Sequence, residues 1–224
     1  TKLVKDIRAS GDGVPSSLVK LGSLVFFRAL DGTGFGLWKS DGTAAGTRLV
    51  KRLDTFVLPE AVGGTLFFVG SDPTHGRELW RSGGTAATTK MVEDIRPGTS
   101  GSVATNPENT WLVNVGGVLY LTVIDGSHGF ELWKSDGTVP GTKLVKDIDP
   151  GSGSGAFTPV VGLGSTVYFK GEATPGDYEL WRSNGIAAGT EQVADINPSG
   201  PSLPDDLVVV DGKVYFTADD GAHG

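Results

Sequence analysis

Three histidines are the side chains of this sequence best suited to chemistry near neutral pH, and all three sit in one kind of loop. His75, His128 and His223 each close an Asp-x-x-His stretch that runs into glycine, at Asp72–Gly76, Asp125–Gly129 and Asp220–Gly224. An imidazole beside a carboxylate can hold a cation, move a proton or hydrogen-bond a sugar hydroxyl. On that chemistry His75, His128 and His223 are candidate ligand contacts. The same place in two further copies of the loop reads Thr33-Gly34 and Pro175-Gly176. Neither histidine nor a metal is therefore obligatory, and a turn role is the plainer expectation.

The Asp-Gly-Thr stretches look like fragments of calcium loops. Their first position reads Asp41, Gly83, Asp136 and Asn184. Glycine supplies no ligand, whereas all three residue types tolerate a left-handed backbone, so hairpin turns are expected. No Asp-x-Asp-x-Asp-Gly run with a distal Glu is present, which excludes an EF-hand. No metal and no cofactor is expected.

Aromatic side chains offer a second kind of site. Trp38, Trp80, Trp133 and Trp181 suit a sugar-stacking ladder, but each follows a Leu in mid-strand, which fits packing between repeats better. Trp111 occurs once, after Pro107-Glu108-Asn109-Thr110, where the other copies carry small or aliphatic residues. It is the best single candidate for a ligand contact. For hydrolysis two carboxylates must face one another across a cleft. Asp205-Asp206 and Asp219-Asp220 are neighbours whose side chains point to opposite faces of a strand. Glu60, Glu108 and Asp205 precede first strands at similar places, and solvated loop acids are the plainer account. No Gly-x-Ser-x-Gly elbow follows a strand. Gly151-Ser152-Gly153-Ser154-Gly155 lacks the Lys of a phosphate loop and reads as a connector. No catalytic residue is assigned.

The elements that must position these residues come from a repeat. Leu37-Trp38-Lys39-Ser40-Asp41-Gly42-Thr43 recurs from Leu79, Leu132 and Leu180, with the tryptophans 42, 53 and 48 residues apart. The structural positions of the repeat are Trp38, Trp80, Trp133 and Trp181, with Gly42, Gly84, Gly137 and Gly185 in the hairpins. Thr1–Ile7 matches the last strand of a unit, and the chain stops inside another, so it reads as excised from something longer. The 35 glycines and 12 prolines punctuate short apolar runs throughout the 224 residues. Two-residue Gly-rich turns join first and second strands. Runs such as Val25-Phe26-Phe27 are apolar on both faces of a strand. A four-stranded meander buried on both sides must be sandwiched between copies of itself, which is how propeller blades stack. The expected fold is an all-β β-propeller of four-stranded antiparallel blades, about five with the last incomplete, or an arc of a larger propeller. One repeat domain spans 1–224, with a strand at 1–7, blades at about 14–53, 56–95, 108–148 and 156–196, and a partial blade at 204–224.

Composition removes several classes. Nineteen basic and 26 acidic residues give a formal charge of −7, and the basic residues form no cluster. Nucleic acid, which needs a basic patch, is not an expected partner. There is no cysteine, hence no disulfide or thiolate chemistry. The longest apolar runs, such as 207–210, are too short to cross a bilayer as a helix, so no membrane insertion is expected.

The repeat resembles the bacterial family named for a Glu-Leu-Trp-x-x-Asp-Gly-Thr signature, matched in full by Glu131–Thr138. The copy at Glu78 departs at Gly83, the copy at Glu179 at Asn184 and Ile186, and the first has Gly36 in place of Glu. The resemblance covers essentially the whole chain. It implies an exported or surface-exposed bacterial protein, secreted or on the cell surface, and carries over no catalytic residues. The connectors after the fourth strands (8–15, 54–58, 96–106, 149–158, 197–204) vary most, and varied loops on a constant frame suit recognition. The expected function is a non-enzymatic binding or scaffolding module for a protein or glycan. Alternatives are a carbohydrate-binding, lectin-like propeller and a propeller glycosidase or lyase.

Overall fold

The computed structural model describes residues 1–103 and 110–223, all in strands, turns and loops apart from one short 3-10 turn. Blade 1 is the meander β1 (Ser16–Leu21), β2 (Leu24–Asp31), β3 (Gly34–Ser40) and β4 (Arg48–Arg52). Blade 2 is β5 (Thr55–Val62), β6 (Thr65–Ser71), β7 (Glu78–Ser82) and β8 (Lys90–Met91). Blade 3 is β9 (Leu112–Val115), β10 (Val118–Val123), β11 (Glu131–Ser135) and β12 (Lys143–Lys146). Blade 4 is β13 (Ala156–Leu163), β14 (Thr166–Glu172), β15 (Tyr178–Ser183) and β16 (Thr190–Gln192). A hairpin of β17 (Asp205–Val210) and β18 (Lys213–Thr217) follows. Each blade is an antiparallel sheet in sequential order, which is propeller architecture. The chain divides into two compact units, Thr1–Ser102 and Val103–Gly224.

The turn chemistry is local and repeats. Leu21 pairs with Leu24 and Val62 with Thr65, so the first turns have two residues, and Gly22 and Gly63 supply the positive φ that such turns need. In the signature hairpins the left-handed residue is the glycine itself: Gly42, Gly84, Gly137 and Gly185 have φ of +86 to +88. The preceding Asp was expected to take that conformation. It acts instead as a side-chain cap, with Asp41 Oδ1 accepting the N–H and hydroxyl of Thr43 at 2.9 and 2.7 Å. The segment Thr1–Ile7, expected as a strand, joins no ladder.

The core lies between blades. In the first unit Phe26, Leu37 and Val50 of blade 1 form one buried cluster with Phe56, Leu66, Phe68 and Trp80 of blade 2. In the second unit Trp111, Tyr120 and Leu132 of blade 3 do the same with Val167, Phe169 and Trp181 of blade 4. First strands run side by side, β1 along β5 and β9 along β13.

Signature lysines staple the blades. Lys39 Nζ donates to Gly84 O at 2.7 Å, and Lys134 Nζ to Gly185 O at 2.7 Å. Lys51 donates to Thr89 O at 2.9 Å while its ammonium stands 5.5 Å from the Trp80 ring. Lys146 repeats this with Thr190 O at 2.8 Å and Trp181 at 5.4 Å. Lys5 donates to Thr47 O at 2.7 Å, so Thr1–Ile7 makes a fourth-strand contact without a fourth-strand ladder. Lys51→Met keeps the length and loses both the hydrogen bond and the cation–π contact. It is expected to cost about 1–2 kcal/mol, read as a lower urea midpoint.

Candidate functional site at the loop rim

The Asp-x-x-His loops between second and third strands are built around their aspartates. Asp72 Oδ1 accepts the N–H groups of Thr74 and His75 at 2.9 and 2.8 Å. Asp125 Oδ1 accepts those of Ser127 and His128 at 2.8 Å each, and Asp220 accepts those of Ala222 and His223 at 2.8 and 2.5 Å. Each imidazole then folds back on its own carboxylate. His75 Nδ1 lies 3.0 Å from Asp72, His128 Nδ1 2.8 Å from Asp125, and His223 Nδ1 3.0 Å from Asp220. The hydrogen bonds and charge of Asp72 and Asp125 hold the His75 and His128 imidazoles above the ordinary histidine range.

Two of these rings meet a second carboxylate from beyond the fourth strand. His75 Nε2 is 3.9 Å from Asp94 and His128 Nε2 is 3.8 Å from Asp147. Blade 1 solves the same problem with a permanent charge: Arg52, at the position of Asp94, pairs with Asp31 and donates to Gly34 O at 2.7 Å. Beside it a groove of about 340 Å³ runs between the loops of blades 1 and 2, lined by Gly34, Phe35, Arg52, Asp54, Ser71 and Asp72 among others. Among the described residues no group of three or more His, Asp or Glu is arranged to hold a metal ion.

The sequence reading missed the most buried charges in the protein, the glutamates of the signature itself. Glu78 and Glu131 are fully buried and Glu179 is 1% exposed. Each carboxylate binds the connector that leaves its blade. Glu78 accepts N–H groups from Ile95, Arg96 and Ser102 at 3.3, 3.3 and 2.8 Å, and the Ser102 hydroxyl at 2.6 Å. Glu131 accepts the N–H groups of Ile148 and Asp149 at 2.9 and 3.4 Å. Glu179 accepts those of Ile196 and Ser202 at 3.2 Å each, and the Ser202 hydroxyl at 2.7 Å. Burial pushes Glu131 up to about 7 and raises Glu78. The connectors expected to be free recognition loops are therefore tied down where they leave the blade.

Other candidates are placed differently from expectation. Trp111 is 4% exposed, packed in the core of the second unit with its ring 6.4 Å from Phe169. Its indole N–H is buried and finds no acceptor among the described residues, so it is a packing residue. Trp38, Trp80 and Trp181 are buried and Trp133 is half-buried, which rules out a ladder of open faces. Glu60 lies on β5 opposite Phe67, Asp205 is exposed at the start of β17, and Glu108 falls outside the described residues. The signature serines are engaged, Ser82 Oγ and Ser135 Oγ each sharing a 2.7 Å hydrogen bond with the threonine seven residues on. Thr74 Oγ1, 3.1 Å from His75 Nδ1, donates to Asp72 within the turn.

No family model matches the chain, and no curated protein matches it. Solved structures do. A puromycin hydrolase matches with a TM-score of 0.57 and 15% identity over 94% of this chain and 34% of its own. A puromycin-hydrolyzing peptidase from Mycobacterium tuberculosis gives 0.55 and 14%, over 92% and 33%. The β-propeller domain of the trilobed protease from Pyrococcus furiosus gives 0.54 and 13%, over 92% and 65%. The fold is a β-propeller. The chain spans about a third of the length of the two puromycin-hydrolysing proteins. These neighbours are hydrolases, which overturns the expectation of a non-enzymatic binding or scaffolding module. No helix is long and apolar enough to cross a membrane among the described residues.

Proposed function

We propose that this chain is the propeller portion of a larger hydrolytic protein, admitting and orienting substrate while the bond-breaking residues lie outside it. The observation that carries this reading is the match of nearly the whole chain to about a third of two puromycin-hydrolysing proteins. The chain's own chemistry supports the division of labour. Its described signature serines, rim histidines and buried glutamates are committed to turns and connectors, as set out above. The groove between the loops of blades 1 and 2 combines Phe35, which carries the Arg28 guanidinium on one face, with the carboxylates of Asp54 and Asp72 and the Arg52 guanidinium, a polar and apolar mixture that suits an aminoacyl group. The likeness of its repeat to an exported bacterial family supports a setting outside the cytoplasm.

The test uses the purified chain with puromycin and a series of aminoacyl amides. No turnover above buffer is expected, together with amide shifts in NMR spectra confined to 31–35, 52–54 and 71–73. Hydrolysis by the chain alone, or the lack of any shift in those segments, sinks the reading.

A further inference from the structure

We propose that blades 2 and 3 carry acid-closed latches, in which His75 and His128 clasp the departing connector to the rim loop and release it as pH rises. Blade 1 carries the same clasp in a form that does not titrate. Each histidine joins two parts of its blade that are distant in sequence. The Nδ1 side meets Asp72 or Asp125 in the rim loop, and the Nε2 side faces Asp94 or Asp147, just after the fourth strand. The ring faces the Oδ2 atom of that second carboxylate; Asp94 Oδ1 and Asp147 Oδ1 are buried with no hydrogen-bond partner, and Asp147 Oδ2 also accepts the Gly151 N–H at 3.3 Å. In blade 1 the pair Asp31–Arg52 spans the same two places.

The charges facing each imidazole come from three elements. For His75 they are Asp72 in its own loop, Glu78 at the start of β7 and Asp94 after β8. For His128 they are Asp125, Glu131 at the start of β11 and Asp147 after β12. A protonated ring sits among three carboxyl groups: one in the rim loop, one that holds the connector, Glu78 or Glu131, and one on the connector itself. A neutral ring leaves those groups repelling one another in a half-buried setting, where screening is weak. Connector residues 95–102 and 148–155 then lose the clasp to the rim loop and keep only their hydrogen bonds to Glu78 and Glu131.

The signs agree. Both imidazoles are held above the ordinary histidine value, so their contribution is complete below about 6.5 and is lost as pH rises through the folded value. Glu131, raised from 4.5 to about 7, shifts stability the same way between those values. Asp72 and Asp125 are held below the ordinary carboxylate value, so the loop side stays charged in mild acid. Blade 4 serves as a control, since Pro175 replaces the histidine while Glu179 still holds its connector.

Hydrogen exchange on the whole chain at pH 5.5 and 8.5, corrected for intrinsic rates, tests the latch. Protection of 94–102 and 147–155 is expected to fall by about tenfold at the higher pH, while 52–55 and 195–203 hold steady. His75→Gln should abolish the pH response of 94–102 and leave that of 147–155, while unchanged protection of β6 and β7 reports that its own unit is folded. His75→Thr with Asp94→Arg, a copy of blade 1, should keep 94–102 protected at both pH values. Equal protection of 94–102 at both pH values, or an unchanged response in His75→Gln, overturns the proposal.

Discussion

Replacing Glu78 with alanine is expected to free residues 95–102 from blade 2 and to destabilise the Thr1–Ser102 unit by about 3–5 kcal/mol. The glutamate is fully buried and its two oxygens take four hydrogen bonds from the connector. Alanine removes every acceptor at once and leaves buried Ser102 and Ile95 with N–H donors facing an apolar hole. Each orphaned donor costs about 1–3 kcal/mol, and the total is limited by how far the connector can move out into water. Glu78→Gln keeps the shape and one acceptor oxygen, so it should fall between wild type and alanine. Urea unfolding gives the loss, and hydrogen exchange localises it to 95–102. A loss below about 1 kcal/mol for the alanine variant would mean that the carboxylate is a passenger. Blade 1 explains why only some repeats need the clamp. Gly36 stands in place of the glutamate, and a Cβ there would come within 2.6 Å of Leu49 and 2.8 Å of the Lys51 carbonyl. β4 ends at Arg52 and β5 begins at Thr55, so there is almost no connector to hold.

What was legible in the sequence was whatever recurs with a local cause. The strands follow from apolar runs bounded by two-residue turns, and the hairpins follow from glycine at a fixed place. Even a compensation within the repeat can be seen afterwards in the letters. Gly46 and Gly189 stand where a Cβ would lie 1.9 and 2.1 Å from the side-chain oxygens of Asp41 and Asn184. Where the capping residue is Gly83, that later position becomes Thr88, whose hydroxyl takes the N–H groups of Gly83 and Thr85 at 3.2 Å each. The signature glutamate escaped because its partners lie 17 to 24 residues downstream, in segments with no periodicity to flag them. Trp111 was misjudged for the converse reason. Its singularity in sequence reflects a packing position at the entrance to β9 in blade 3, and uniqueness alone does not distinguish a ligand contact from a core plug. The histidines were assigned to turns on residue type, and their loop geometry agrees. The second carboxylates, Asp94 and Asp147, are visible only once the fourth strand has been folded against the loop.

Gly129→Ala is expected to cost about 2–4 kcal/mol and to displace the connector of blade 3. The glycine after each rim histidine looks like a turn residue, yet neither Gly76 nor Gly129 has a positive φ. Their need for glycine is the connector backbone passing against them. A Cβ on Gly129 would lie 1.9 Å from the carbonyl oxygen of Gly153 and 2.4 Å from its carbon, and one on Gly76 would lie 2.4 Å from the Gly101 nitrogen. Main chain cannot swing aside as a side-chain tip can, so the connector must move as a body and pull away from Glu131. Gly200, open on all sides and without a positive φ, provides the control in the same unit. Gly200→Ala should stay within about 0.5 kcal/mol of wild type. If Gly129→Ala is equally silent in urea unfolding, the connector is not seated on the rim loop. The pairing of latch and clamp would then fail with it, because both require the segment after β12 to lie against the loop that carries His128.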